Sequence, residues 1–212
     1  MPTDTEARRM GDSMAQIEFW LTTGSTHTYL SVNRIAGMAQ DAGLGLVLRP
    51  FYLGRIFRQD GFWPFHPDTA RTRYMWHDIA RTARARGLHP KLPAPYPAPG
   101  VERANRLVWA AEEQGRGLDF LRASYRCWFE AGHPPGEEPS VSSSLAAAGL
   151  DAAAMLARAE SPEAEAALEV ATEEARARGI FGAPSFLVGE ELFWGDDRLE
   201  AAIAHASGRP PG

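Results

Sequence analysis

Cysteine is almost absent from the sequence, since Cys127 is the only one among 212 residues. A single thiol excludes an intramolecular disulfide and a CxxC redox pair. Cys127 stands between Arg126 and Trp128 in a stretch of helical character. A buried structural thiol is the commoner role in such a place and a reactive thiol the rarer one. We therefore expect no thiol–disulfide exchange by the chain's own sulfur.

Other common signals are missing as well. No apolar run approaches the ~20 residues that cross a bilayer, so we expect no membrane partner. The opening MPTDTEARRMGDSMAQ has no apolar core of signal-peptide length, so we expect a disordered leader at residues 1–15 and a cytoplasmic protein. Lys and Arg number 22 against 27 Asp and Glu, and this net charge of −5 argues against a nucleic-acid partner.

What is present fits a globular protein. The apolar share is 44% and the charged share 23%, both ordinary values. The length suits one large domain or a domain with a big insertion. Ile17–Leu21 and Leu44–Phe51 are rich in strand-forming residues, and a helical pattern from Tyr29 to just before Gly43 lies between them. This order predicts a βαβ unit with a parallel pair of strands.

The polar loop between the first strand and the first helix is a candidate functional segment. Ser25, Thr26 or Thr28 is expected to cap the helix. The unpaired N–H groups at a helix start, together with the macrodipole, favour a bound anion. Taken alone, a Ser at this position is more often only a helix cap.

The end of the chain predicts a hairpin followed by a helix. Ser185–Val188 and Leu192–Trp194 read as strands, and Gly189-Glu190 between them fits a type II′ turn. Pro184 stands at the first strand position, where a missing N–H is tolerated, and its bond to the preceding residue is a candidate cis peptide. Asp196 or Asp197 is expected to cap the last helix. By itself this pattern equally fits an ordinary edge hairpin.

The middle of the chain is expected to be mostly helical. An aromatic, proline-broken loop, GFWPFHP, contains Phe62 and Trp63 and follows the second strand. A proline-rich connector spans residues 88–99. The predicted helices cover residues 68–86, 101–114, 118–131, 141–148, 151–158 and 162–178. Arg71 belongs to a basic stripe on the first of these, and such a stripe is usually a solvated face.

Three segments carry a resemblance to a known family. They are IEFWLTTGSTHTYL, LRPFYLGRIF with TRYMWHDIAR, and GIFGAPSFLVG with FWGDDRL, and together they bracket residues 17–203. They resemble the thioredoxin-like superfamily, and in particular the branch of kappa-class glutathione transferases and 2-hydroxychromene-2-carboxylate isomerases, which is related to bacterial disulfide-forming proteins. The resemblance implies an α/β fold of the thioredoxin-like type, βαβ…ββα. The implied units are a thioredoxin-like domain at 16–53 and 161–206, an inserted helical domain at 54–160 and a flexible tail at 207–212.

The same resemblance implies glutathione as cofactor and a small aromatic-derived substrate as partner. Ser25 falls on the serine that meets the glutathione sulfur, and is the expected catalytic residue. The implied glutathione-binding residues are Arg71, Ala183, Pro184, Trp194, Asp196 and Asp197. The implied substrate pocket is formed by His27, Phe62 and Trp63. No metal is expected, and a homodimer is an option because relatives of this family are commonly dimers.

The chain departs from the family pattern at several positions. Thr22 replaces an Asp, Thr26 a Pro, and Phe62 an Asn that contacts the ligand. Phe62 would make the acceptor pocket more apolar, unless it simply packs in the core. His27 is either a solvated histidine at the helix start or a proton carrier near the substrate.

Three functions stay open on the sequence. The preferred one is a glutathione-dependent cis–trans isomerase of a 2-hydroxychromene-2-carboxylate type substrate, in which a thiolate held at a helix start adds reversibly to a double bond. The others are glutathione conjugation, as in kappa-class transferases, and a non-catalytic glutathione- or peptide-binding module. A thiol–disulfide oxidoreductase is disfavoured because Ser25-Thr26-His27-Thr28 stands where a CxxC would.

Overall fold

The computed structural model describes residues 15–61 and 66–209. Four strands and ten α-helices follow one another in these parts of the chain. In chain order they are β1 (Gln16–Leu21), α1 (Thr28–Val32), α2 (Ile35–Asp41), β2 (Gly45–Pro50), α3 (Leu53–Gln59), α4 (Ala70–Ala85), α5 (Val101–Glu112), α6 (Gly117–Arg126), α7 (Ser140–Ala147), α8 (Ala152–Ala159), α9 (Pro162–Ala177), β3 (Ser185–Val188), β4 (Glu191–Trp194) and α10 (Leu199–Ala206). A π-helical turn, Cys127–Ala131, extends α6, and a 3₁₀ turn, Asp196–Arg198, precedes α10.

The strands form one mixed sheet in the order β2-β1-β3-β4. β1 pairs parallel with β2 and antiparallel with β3, and β3 pairs antiparallel with β4. The pairing of Val188 with Glu191 leaves a two-residue turn, in which Gly189 takes φ 61°. The βαβ unit and the final hairpin are therefore confirmed.

Neighbouring residues of β1 point to opposite faces of the sheet, and a hydrophobic core packs on each face. Phe19 stacks on Phe186 at 5.4 Å between ring centroids and belongs to the larger core. Trp20 faces the other way and meets Phe51 edge-on in a smaller core that includes residues of α3 and α9. At about 25 cal/mol per Å² of buried apolar surface, these two layers provide the main driving force for the fold.

Between β2 and β3 all the regular elements of the described residues are helical, as predicted. Their aromatic residues join the larger core, where Tyr29 of α1 stacks on Phe129 of the π-helical turn at 4.3 Å. The indole of Trp128 donates to the carbonyl of Pro95 in the proline-rich connector at 2.8 Å. The sheet and the helices thus share one core, and the division into two units at residues 54 and 160 stays a prediction.

The first helix differs from the expected one, because it is two helices rather than one. The break falls at Asn33 and Arg34, where Arg34 has φ −127°. The Asn33 side chain donates to the carbonyl of Tyr29 at 2.7 Å, and such local bonds compete with helical pairing. Arg34 also reaches the carboxylates of Asp196 and Glu200, which fixes its departure from the helix.

Some predictions fall outside the described residues. Phe62 and Trp63 do so, as do most of the predicted leader and the last three residues of the predicted tail. Within residues 15–61 and 66–209, no single helix is long and apolar enough to cross a membrane. The pair α7 and α8 reaches that length and composition only together, and it is bent by 116°.

Candidate functional site

The Ser25 hydroxyl bridges the loop after β1 and the segment before β3. Its Oγ donates to the carbonyl of Ala183 at 2.7 Å and lies 3.4 Å from the backbone N–H of Thr28, the first residue of α1. The Ser25 N–H donates to Thr22 O at 3.0 Å and closes a turn. Among the residues expected to cap the first helix, Ser25 therefore forms only a long hydrogen bond to the helix start. His27 occupies the N-cap position itself, and its side chain makes no capping hydrogen bond.

Because α1 has five residues, its macrodipole is correspondingly small. The Ser25 hydroxyl and the N–H groups that open the helix are then the hydrogen-bond donors at this place. This corrects the expectation of one long helix behind the loop.

Two buried residues from the helical part hold this loop in place. Asn105 of α5 accepts from Thr23 N–H at 2.8 Å and donates to Thr22 Oγ1 at 3.1 Å and to Phe51 O at 2.9 Å. The hydroxyl of Tyr125 lies 3.1 Å from Thr22 O and 2.8 Å from Ser25 O. Sequence reasoning missed both as supports of the site. The signal for Asn105 was a lone amide among the apolar residues of α5.

The Ala183–Pro184 peptide is cis and lies opposite Ser25. The carbonyl of Pro184 accepts from the N–H of Gly195 at 2.9 Å, which ties this segment to the end of β4. A Cβ on Gly182 would lie 2.2 Å from the indole nitrogen of Trp194, so this close approach requires glycine. The Trp194 ring packs edge-on against Phe181 at 4.8 Å.

A cavity of about 1040 Å³ opens between these segments. It brings together the predicted residues Ser25, His27, Arg71, Ala183, Pro184, Trp194, Asp196 and Asp197. Phe62 and Trp63 are outside the described residues. Lining residues that sequence reasoning missed include Phe57, Tyr74, Met75, Arg86 and Phe181. Cys127 is not among the residues that line it. Among the described residues, no group of three or more His, Cys, Asp or Glu could hold a metal ion.

Asp196 is buried, with 5% of its side chain exposed, and has internal partners. Its carboxylate accepts from Ser31 Oγ at 2.8 Å, from Arg34 at 3.3 Å and from Arg86 at 2.6 Å. Neither acidic residue caps α10, whose N-cap position is Arg198 without a side-chain bond. The cap prediction was therefore wrong, because tertiary ion pairs take up the Asp196 side chain. Asp197 is 73% exposed at the cavity wall.

His27 is half-buried on the cavity wall next to Ser25. Burial lowers the pKa of His27 below its usual 6.5, while the charges of Asp78, Asp196 and Asp197 act in the opposite direction. The neutral imidazole is therefore favoured near neutral pH. His27 stands at the helix start, as one of the two sequence-based alternatives has it, but it is half-buried rather than solvated. Its role as a proton carrier stays a prediction.

Comparisons with known proteins agree with this architecture. The family model of the DSBA-like thioredoxin domain matches residues 16–205. The chain is 26% identical to 2-hydroxychromene-2-carboxylate isomerase of Sphingobium xenophagum, over 87% of this chain and 94% of that protein. It is 25% identical to the protein of the same name from Pseudomonas putida, over 86% and 90% of the two chains.

Solved structures give the same result for the fold. A structure of 2-hydroxychromene-2-carboxylate isomerase matches with a TM-score of 0.79 at 25% identity, covering 91% of this chain and 94% of that one. A probable DsbA oxidoreductase from Streptomyces coelicolor matches with a TM-score of 0.67 at 21% identity, covering 93% and 92%. This second likeness concerns the fold alone.

Proposed function

This chain belongs to the family of DSBA-like thioredoxin domains, and from that premise we propose that it is a glutathione-dependent cis–trans isomerase. The proposed substrate is aromatic-derived and of the 2-hydroxychromene-2-carboxylate type, in line with the names of its relatives. The observation that carries the proposal is the Ser25 hydroxyl, 2.7 Å from Ala183 O on the wall of a cavity that contains no cysteine among its described lining residues.

In the proposed reaction the thiol comes from a cofactor, because no cysteine is among the described residues that line the cavity. The chain's one cysteine, Cys127, lies by Ser144 with 3.7 Å between its Sγ and the Ser144 Oγ, away from the cavity lining. Ser25 and Thr28 occupy the ends of the tetrapeptide where an exchange pair would stand. Glutathione, when bound, supplies a nucleophilic thiolate that can add to and leave a double bond.

The residues of the cavity suit a tripeptide in size and chemistry. A volume of about 1040 Å³ is at the upper end of small-molecule sites, leaving room for a second ligand. Ala183 precedes the paired residues of β3, an interior strand, and its backbone can pair with an extended peptide in the cavity. Arg71 and Asp197 both line the cavity and offer opposite charges for the two ends of the tripeptide.

Ser25 has one proton to donate, and this sets its role. The hydroxyl now donates to Ala183 O. If it turns to a bound sulfur, Ala183 O becomes free to accept a backbone N–H from the ligand. A hydrogen bond to the thiolate stabilises the charged form and lowers the thiol pKa. Ser25 thus holds the sulfur ionised, and the neighbouring N–H groups of α1 add to the effect.

Conjugation is the alternative outcome at the same site. If the adduct leaves the cavity with the thiolate still attached, the product is a glutathione conjugate. If the adduct rotates about the former double bond and then expels the thiolate, the product is the cis–trans isomer of the substrate. Analysis of products after incubation with glutathione and the acid substrate separates the two activities.

A calorimetric titration with glutathione and an assay of the isomerisation rate test the proposal together. We expect glutathione to bind the wild-type protein, and the Ser25→Ala variant to lose at least tenfold in the isomerisation rate. Ser142→Ala is the matched control, because Ser142 is exposed and remote in the chain from Ser25. No heat of binding at millimolar glutathione would overturn the proposal. An unchanged rate in Ser25→Ala would remove Ser25 from the mechanism.

A further inference from the structure

The positively charged side chain of Arg86 lines the same cavity and has no role in the proposed function. Arg86 occupies the C-cap of α4, and the chain turns sharply after it. Gly87 has φ 71°, its N–H donates to Arg84 O at 3.1 Å, and the N–H of Leu88 donates to Ala83 O at 2.8 Å. These two bonds form a Schellman motif, which fixes the backbone of Arg86.

The side chain of Arg86 is fixed as well. Its Nη1 donates to Asp196 Oδ2 at 2.6 Å, and 26% of the side chain is exposed. Asp196 is itself held from the other side by Ser31 and Arg34. Because Asp196 is anchored independently, it orients the guanidinium of Arg86 in the way that a buried carboxylate orients a metal-ligating histidine.

The charges around Arg86 leave it able to bind an anion. Asp196 faces two guanidinium groups, those of Arg34 and Arg86. Arg34 also pairs with Glu200, whose side chain is 59% exposed and whose charge is therefore partly screened by solvent. A guanidinium has five N–H donors, and the pair with Asp196 uses one of them. The remaining donors match a carboxylate in a planar, forked geometry.

We propose that Arg86, positioned by Asp196, binds a ligand carboxylate in this cavity. The inference rests on the proposed function, which supplies two carboxylate-bearing ligands, glutathione and the acid substrate. Asp196 is then a positioning residue for Arg86 rather than the acceptor of the glutathione ammonium, and Asp197 is the exposed acidic residue left for that contact.

The test compares Arg86→Gln with Arg84→Gln. Arg84 is exposed on the same helix and does not line the cavity, so its loss is a matched change of charge. Arg86→Gln leaves Asp196 with two donors, Ser31 and Arg34, so the variant does not strand a buried carboxylate. Calorimetry measures the Kd of each variant for glutathione and, separately, for 2-hydroxychromene-2-carboxylate.

We expect Arg86→Gln to weaken one of these two ligands at least tenfold, Arg86→Lys to restore part of the loss, and Arg84→Gln to change neither affinity. Loss of glutathione affinity identifies a carboxylate of the tripeptide, and loss of acid affinity identifies the substrate carboxylate. Asp196→Asn should weaken the same ligand, because it releases the guanidinium.

Two results would overturn the inference, and they differ from failure of the proposed function. If the wild type binds both ligands and Arg86→Gln binds them equally well, Arg86 does not bind a ligand carboxylate. An equal loss in Arg84→Gln would point to the overall charge of the helix instead. If the wild type binds the acid but not glutathione, the proposed function fails, while a weaker affinity of Arg86→Gln for the acid still supports the inference.

Discussion

Replacing Asn105 tests whether the helical part of the chain holds the catalytic loop. The Asn105→Leu variant keeps a side chain of similar volume and removes three buried hydrogen bonds. It leaves the N–H of Thr23 and the carbonyl of Phe51 without their partner. An unsatisfied buried group costs about 1–3 kcal/mol, so the two backbone groups together cost about 2–6 kcal/mol. We expect the free energy of unfolding to fall by that amount.

Urea unfolding at neutral pH measures this loss directly. A thermal scan should show a decrease of about 4 °C or more, since 1 kcal/mol shifts the melting temperature by about 2–4 °C for a chain of this length. Gln114→Leu is the matched control, because Gln114 is exposed and makes only a 3.8 Å contact to the sulfur of Met155. We expect the control to stay within about 0.5 kcal/mol of the wild type.

The second part of this prediction concerns glutathione binding by the folded variant. Below its unfolding transition, Asn105→Leu should bind glutathione more weakly, because Thr22 and Thr23 no longer fix the turn that carries Ser25. A loss below about 1 kcal/mol, with unchanged glutathione affinity, would refute the reasoning. The loop would then be held by other contacts.

Two more predictions concern the cavity wall. Burial lowers the pKa of His27 in the folded protein below the usual 6.5. As the pH falls, His27 is therefore protonated in the unfolded chain before it is protonated in the folded one, so the free energy of unfolding decreases below pH 6.5. Unfolding free energies measured against pH should therefore fall less steeply below pH 6.5 in His27→Gln than in the wild type or in the exposed-site control His77→Gln; parallel curves would contradict this. Gly182→Ala places a Cβ against the Trp194 indole, so we expect glutathione affinity to drop several-fold in calorimetry, whereas Gly37→Ala, which meets no atom within 4 Å, should bind as the wild type does. Equal affinities in these two variants would show that the Trp194 position does not matter.

The strands and the final hairpin were predictable from the sequence because their signals are local. The runs of strand-forming residues, the short turn at Gly189 and the proline before β3 all act within a few residues. The α/β fold of the thioredoxin-like type followed from the resemblance of three segments, and the match of the family model over residues 16–205 confirms it.

The supports of the site could not be predicted in the same way. Asn105 bonds to residues 82 and 83 positions away in the chain, and Arg86 pairs with Asp196 across 110 positions. No local pattern reports such contacts, because they depend on how the helices pack on the sheet. The same cause explains the wrong cap prediction at Asp196, where tertiary ion pairs outweigh the local preference for a helix cap.

The ionisation of bound glutathione tests the central claim most directly. The ultraviolet absorbance of the thiolate, followed against pH in complexes of the wild type and of Ser25→Ala, gives the pKa of the bound thiol. We predict a pKa below the value of about 8.5 for a free cysteine thiol, raised by about one to two units in Ser25→Ala, since a hydrogen bond to a charged group contributes about 1.5–3 kcal/mol. A bound thiol with an ordinary pKa in the wild type would contradict the account.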